Sequence, residues 1–324
     1  ATESLSFFKS MTFISILLAL VAEQYKSVEE GHWVRRMTDA WLDWIIRSVD
    51  DGRESSARLV CLAAIIPPAV FVLAIHLIFL FTQPVLAFIW NVLIVYLFLG
   101  FRQFSHPFTA IHEALLDRDL ELARQLLAEW QGAGLNTENM TESEVVRIAL
   151  ERAIVGCHRH VFGPIFWFLL PLGPAGVVIY RLADRAMNRW GSHASPAAAG
   201  MMRQFFYYID WVPTRLTAIG FAIVGNFEDA MYGWRYHLRK WSHGPDAVIL
   251  AVGAGALGVR LGAPLPQPDS DEALRMAEAG EPPVLDIGVE PSVRGLRSAV
   301  GLVWRAVILW LVLIAMMTIS VWIG

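Results

Sequence analysis

The chain has 324 residues, of which 56% are hydrophobic and 17% charged, with a mean hydropathy of +0.47. Soluble domains average about 45–50% apolar residues, so an ordinary soluble globule is a poor fit. A net charge of −4 argues against a nucleic-acid role.

In chain order, residues 11–22 form an apolar segment too short for a full span. It reads as a re-entrant or interfacial helix, or as a tilted span helped by flanking residues. Glu23 follows with no small-residue cleavage pattern, so no cleavable signal is expected. Residues 23–58 are of mixed charge and helical in character, with Trp33, Trp41, Trp44, Ile45 and Ile46 as apolar contacts. Residues 59–101 contain no Asp, Glu, Lys or Arg. One helical crossing needs about 20 residues, so this block predicts a transmembrane hairpin split at Thr82-Gln83-Pro84. Pro67-Pro68 should kink its first helix. His76 and Asn91 lie inside the two spans, where they can hydrogen-bond one another.

Residues 107–130 carry Ile111, Leu115, Leu116, Leu122, Leu126 and Leu127 at helical spacing and predict one amphipathic helix closed by Gly132 and Gly134. Thr141 and Glu144 form a capping box that starts the next helix. Residues 161–180 are apolar but hold Gly163, Pro164, Pro171, Gly173, Pro174 and Gly176, which predicts a broken helix supported by neighbouring protein. Residues 181–210 are polar, 211–225 and 247–263 are further apolar stretches, 264–293 read as a solvent loop, and 302–323 as a final span.

The expected fold class is an all-α, multi-pass integral membrane protein with four or five spans, broken or re-entrant helices and a helical cytoplasmic part, forming a single domain over 1–324. Six Lys/Arg fall in 23–58 and six in 102–160, with none at the 82–84 tip. The positive-inside rule then places the tip outside and the polar loops mainly in the cytoplasm. The thirteen tryptophans include Trp167, Trp211, Trp304 and Trp322 near span ends, as an interfacial belt would. Cys61 and Cys157 form neither a disulfide framework nor a zinc pattern.

Several polar constellations stand out. Asp210 and Arg215 bracket Pro213 at the mouth of an apolar helix, either as a structural ion pair or facing a ligand. Glu151 precedes His158-Arg159-His160, whose two histidines point in different directions on a helix, so no metal site is expected there. Glu23 is either a pocket group or a solvated helix end. Gly253 to Gly262 carries small residues at helix-packing spacing and lacks the Gly-Lys-Ser/Thr ending of a phosphate loop.

The order of these blocks resembles the CobD/CbiB superfamily, which also includes the AmpE proteins. The resemblance runs along nearly the whole chain, from about residue 11 to 322, and includes Glu23, Asp119-Leu120-Glu121-Leu122-Ala123-Arg124 ("DLEAAR"), Glu144 to Glu151, and Gly163-Pro164-Ile165-Phe166 ("APLF"). It continues through Gly173 to Arg181, Trp211-Val212-Pro213-Thr214-Arg215-Leu216 ("WVPARL") and Gly255 to Pro264 ("GALGVRLGGP"). Membership implies a membrane enzyme of cobamide synthesis that forms an amide between a corrinoid carboxyl and an aminopropanol or its phosphate, using ATP. That reaction wants carboxylates for Mg²⁺. Where the family shows "ETVAENTVDG", "NTLDSM" and "RLDD", this chain reads Glu151 to His160, Asp184 to Arg189, and Gln204-Phe205-Phe206-Tyr207-Tyr208.

The loss of those acids favours a non-catalytic, AmpE-like regulator, sensor or accessory of the bacterial inner membrane, with an adenosylcobinamide-phosphate synthase or a complex subunit as alternatives. The expected pocket comprises Glu23, Glu151, Arg181, Asp210 and Arg215, suited to an anionic small ligand. No residue is assigned a catalytic role, no metal site or cofactor is expected, and ATP, Mg²⁺ and a corrinoid enter only with the synthase. The expected partners are the lipid bilayer and a membrane protein.

Overall fold

A computed structural model describes residues 2–25, 32–131, 136–240, 245–262 and 288–323. These residues are almost entirely helical, as expected, and their one β-feature is the isolated bridge Val259–Val289. The helices are α1 (Thr2–Tyr25), α2 (His32–Val49), α3 (Glu54–Thr82), α4 (Pro84–Phe98), α5 (Phe101–Leu116), α6 (Leu120–Gln131) and α7 (Glu142–Cys157). A π-helical turn (His158–Phe162) leads into α8 (Gly163–Leu169), followed by α9 (Pro174–His193), α10 (Pro196–Val224), α11 (Phe227–Lys240), α12 (Pro245–Leu257) and α13 (Val293–Ile323).

Three stretches are long and apolar enough to cross a membrane: Glu54–Thr82, Pro84–Leu116 and Val293–Ser320. Thr12–Glu23 and Asp246–Leu257 are shorter apolar helices. The lipid bilayer is therefore the protein's environment. Its outward surface agrees with this, because Phe71, Phe81, Val85 and Met317 are all exposed.

The chain divides into two compact units. The first comprises residues 1–102, 159–213 and 311–324. Its core gathers Leu42 and Ile45 of α2, Val60 and Ala64 of α3, Tyr180 and Trp190 of α9, and Met202 and Phe206 of α10. The helix α3 runs unbroken through Pro67-Pro68. A proline removes the hydrogen bond to the carbonyl four residues earlier, so Pro68 leaves the Ala64 carbonyl open, and the Trp41 indole N–H donates to it at 2.8 Å. The same arrangement recurs twice. Pro213 opens the Ile209 carbonyl, which accepts from the Trp167 indole at 3.2 Å. Pro164 opens the His160 carbonyl, which accepts from the Gly100 N–H at 3.3 Å. His76 and Asn91 are hydrogen-bonded across the α3–α4 hairpin.

The second unit comprises residues 103–158 and 214–310. Here α11 lies against α12 at backbone contact. A Cβ on Gly255 would overlap the Asp229 backbone, and one on Gly225 would come 2.6 Å from the Ala256 Cβ. The small-residue stretch 253–262 thus serves packing. The helix α7 begins at the Thr141–Glu144 capping box, with both reciprocal bonds formed.

Two expectations are corrected. The single helix over 107–130 is two, α5 and α6. Arg118 takes a left-handed backbone (φ 61°), Asp119 N–H bonds the Ala114 carbonyl, and the Asp119 carboxylate caps Leu122 N–H at 2.9 Å. The last helix starts at Val293 rather than 302. The break in 161–180 falls at residues 170–173, where Gly173 has φ 51°. Gly132 and Gly134, Trp322 as a side chain, and most of the loop 264–293 lie outside the described residues.

Candidate functional site

The polar centre of the first unit forms where α4 gives way to α5. Leu99 and Gly100 interrupt the helix, exposing the first N–H groups of α5. The Glu23 carboxylate receives them: Oε1 accepts from Arg102 N–H at 3.4 Å, and Phe101 N–H also donates to this carboxyl. A carboxylate is favoured at a helix N-terminus. Glu23 is nonetheless 5% exposed, and its Oε2 is buried with no hydrogen-bond partner. Glu23 lies outside the three long spans, and burial pushes its carboxyl up to about 7, against the pull of the Arg102 and Phe101 N–H groups and the Arg181 charge.

Beside it, two guanidiniums share one carboxylate. Arg159 Nη1 donates to Asp184 Oδ1 at 2.8 Å, and Arg181 Nη1 donates to Asp184 Oδ2 at 3.1 Å and to the Arg159 carbonyl at 3.3 Å. Asn188 Nδ2 adds a bond to Asp184 Oδ1 at 3.2 Å. The Arg159 guanidinium stacks 4.7 Å above the Phe206 ring, a contact worth more when desolvated. Two guanidiniums thus meet at one carboxylate in a low-dielectric setting, with the Glu23 carboxyl also near Arg181. The surrounding field acts on His160, whose pKa burial and then Arg181 and Arg159 hold well below the usual histidine value, so it is neutral.

One turn away, Tyr180 donates its hydroxyl to Asp210 Oδ1 at 2.7 Å, and both side chains are fully buried. Gly163 faces this phenol, and any side chain there would overlap the ring. Arg185 and Arg189 reach across to α2, holding Asp39 through Nε at 2.5 Å and Asp43 through Nη2 at 2.6 Å.

The second unit holds the other expected residues. Glu151 Oε1 accepts from Gly262 N–H at 2.7 Å, while Arg147 Nη1 donates to the Gly262 carbonyl. Two side chains one turn apart on α7 thus hold both backbone groups of one residue, itself at φ 97°. His158 is fully buried and bonds two hydroxyls of α10, Thr217 at 3.0 Å through Nδ1 and Thr214 at 3.1 Å through Nε2. Arg215 is half-buried in the same unit.

Of the five residues expected to line a pocket, the structure therefore puts Glu23, Arg181 and Asp210 in the first unit and Glu151 and Arg215 in the second. Sequence reasoning missed Arg159 and Asp184 as partners, and Tyr180 and Phe206 as supports. The Arg181–Asp184 spacing of three on one helix was the available signal. Among the described residues, no three His, Cys, Asp or Glu side chains form a metal-ligating group.

The model of the CobD/CbiB protein family matches residues 16–266. The chain belongs to that family. A cobalamin biosynthesis protein CobD of Chromobacterium violaceum is 32% identical over 233 residues, covering 70% of each chain. Another of the same name, from Stutzerimonas stutzeri, is 30% identical over 236 residues, covering 71% of this chain and 73% of the relative. No solved structure matches. These relatives overturn the expectation of a non-catalytic regulator, sensor or accessory: the similarity is to proteins named for a biosynthetic pathway. The inference from missing acids failed because it weighed three short motifs against a likeness that spans most of the chain. With its apolar helices, family membership makes this a bacterial membrane protein.

Proposed function

We propose that this chain is an enzyme of cobalamin biosynthesis, an ATP-dependent adenosylcobinamide-phosphate synthase that joins a corrinoid carboxyl to an aminopropanol or its phosphate as an amide. The observation that carries the reading is the 32% identity over 70% of both chains to a protein named for cobalamin biosynthesis.

In such a reaction ATP converts the carboxylate into an acyl phosphate or acyl adenylate. The amine nitrogen then attacks the carbonyl carbon, the C–N bond forms, the C–O bond to the phosphoryl group breaks, and the nitrogen releases a proton. Arg159 and Arg181, joined by Asp184, bring guanidinium forks of the kind that bind a phosphate or carboxylate of the substrates. Glu23, with a carboxyl pushed up to about 7 by burial, suits the proton that amide formation releases, because a group titrating near the working pH transfers protons best. Mg²⁺ would arrive with ATP, needing one or two carboxylates beside the phosphates. Orientation with the basic segments 23–58 and 102–160 in the cytoplasm would put the reaction on the side where ATP is made.

The test is complementation of a strain lacking its cobinamide amide synthase, with purified protein assayed for ATP-dependent amide product. Growth and product formation are expected. Well-inserted protein that yields neither would overturn the proposal.

A further inference from the structure

We propose that the outer face of α2 lies in the headgroup zone of an anionic bilayer leaflet, as an interfacial helix flanking the first span. The helix has two apolar faces. The inner one buries Leu42 and Ile45 in the core of the first unit, with Ile46 and Val49 packed against them. The outer one carries Trp33, Met37, Ala40 and Trp44 at spacings of four, three and four, which is one stripe of an α-helix. Trp33, Met37 and Trp44 are 47%, 64% and 54% exposed.

The charges of α2 are sorted between these faces. Asp39 and Asp43 are held by Arg185 and Arg189 of α9. The remaining described charges of α2 are the exposed Arg35, Arg36 and Arg47, all positive. By helical geometry Arg36 and Arg47 border the Trp33–Trp44 stripe.

The level of the helix relative to the first span identifies what covers the stripe. The chain turns back after α2, so that Trp41 meets Ala64 of α3 at 2.8 Å. Ala64 lies just inside the charge-free stretch that begins after Arg58, at the edge of the hydrocarbon. Trp41 and Trp44, stacked with centroids 5.4 Å apart, therefore sit at the membrane–water boundary, where tryptophan is favoured. The neighbouring face of α3 continues the apolar surface with exposed Leu59, Leu62 and Ile66. A stripe of Trp and Met bordered by arginine at that level is the composition of an interfacial helix, and anionic headgroups attract each basic residue near the surface.

The full-length protein in nanodiscs tests this, with a nitroxide at Met37→Cys, a second at Ala40→Cys, and a control at Arg53→Cys in the turn before α3. The native Cys61 and Cys157 are buried, and unmutated protein sets the labelling background. Collision of each label with oxygen and with a water-soluble nickel complex is measured in phosphatidylcholine discs with and without phosphatidylglycerol. The expected result is an oxygen-to-nickel ratio several-fold higher at 37 and 40 than at 53, rising further with phosphatidylglycerol. Ratios equal to that at 53 would overturn the proposal, as would labels shielded from both reagents, which would mean a protein partner or a second copy. Identical ratios with and without phosphatidylglycerol would overturn the anionic leaflet.

Discussion

Tyr180 donates its hydroxyl to the carboxylate of Asp210 at 2.7 Å, with both side chains fully buried. The bond joins the segment after the helix break to the Trp211–Leu216 motif. Tyr180→Phe removes the donor and keeps the ring. The expected cost is about 1–3 kcal/mol, because a buried charged acceptor loses a partner. Thermal unfolding in detergent measures it, and a loss much smaller than Asp210→Ala causes would show that other groups hold Asp210 more firmly than Tyr180 does.

The Asp184 carboxylate serves two guanidiniums, so its loss should hurt more than the loss of either arginine. Asp184→Asn removes the carboxylate that both Arg159 and Arg181 bond, in a site where the Arg159 and Asp184 side chains are 8% exposed. Breaking a buried pair costs roughly 3–5 kcal/mol. Arg181→Gln leaves the Arg159–Asp184 bond intact and should be milder in stability while lowering amide synthesis. Unfolding midpoints alongside the product assay would separate the two effects, and equal stability losses would contradict the shared-carboxylate account.

Glu23 gives a pH dependence of definite sign. Its folded carboxyl is pushed up to about 7 from 4.5, so the folded state binds the proton more tightly than the unfolded state does. Stability from this group is fully present below about pH 4.5 and is lost as pH rises through about 7, by roughly 3 kcal/mol in all. Glu23→Gln should flatten this part of the profile. Midpoints recorded from pH 5 to pH 8 test it, and parallel profiles for the two proteins would refute the assignment.

Glu151 can be separated from a ligand role by conservative replacement. It accepts from Gly262 N–H at 2.7 Å, a bond that needs an oxygen, and lies 4.0 Å from Arg147 Nη1, a part-exposed ion pair of small worth. Glu151→Gln should retain near-normal stability and amide synthesis, whereas Glu151→Ala should cost about 1–3 kcal/mol by leaving a part-buried backbone donor open. Abolished synthesis in a stable Gln variant would mean that the carboxylate acts on substrate.

Trp41 and Pro68 form a pair that a double-mutant cycle can resolve. Trp41→Phe removes the N–H that meets the Ala64 carbonyl, at about 0.5–2 kcal/mol. Pro68→Ala restores the helix's own N–H to that carbonyl, so the tryptophan's contribution should shrink in that background. Additive losses would contradict the coupling.

The sequence made the membrane class legible through the uncharged run 59–101, and the start of α7 through Thr141 and Glu144. These are local signals, set by a contiguous stretch or by a spacing of three. The division between α5 and α6 was hidden because Leu115, Leu116 and Leu122 keep a near-helical rhythm across Asp117–Asp119, and only Asp119 as a cap gives the break away. The buried cluster was half legible. Arg181 and Asp184 are three apart on one helix, but Arg159 joins them from across a π-turn and a helix break, where no periodicity carries. Function was misread at the same point: absent acids at three motifs said nothing about which charged groups the folded chain keeps in their neighbourhood.

The three carbonyls opened by Pro68, Pro164 and Pro213 are answered by Trp41, Gly100 and Trp167. In each case the donor precedes the acceptor in the chain. A ribosome therefore delivers every donor before the backbone group it must satisfy. During vectorial insertion, these three carbonyls therefore enter the bilayer when their donors have already been synthesised, and none of the three has to wait in lipid for a later segment.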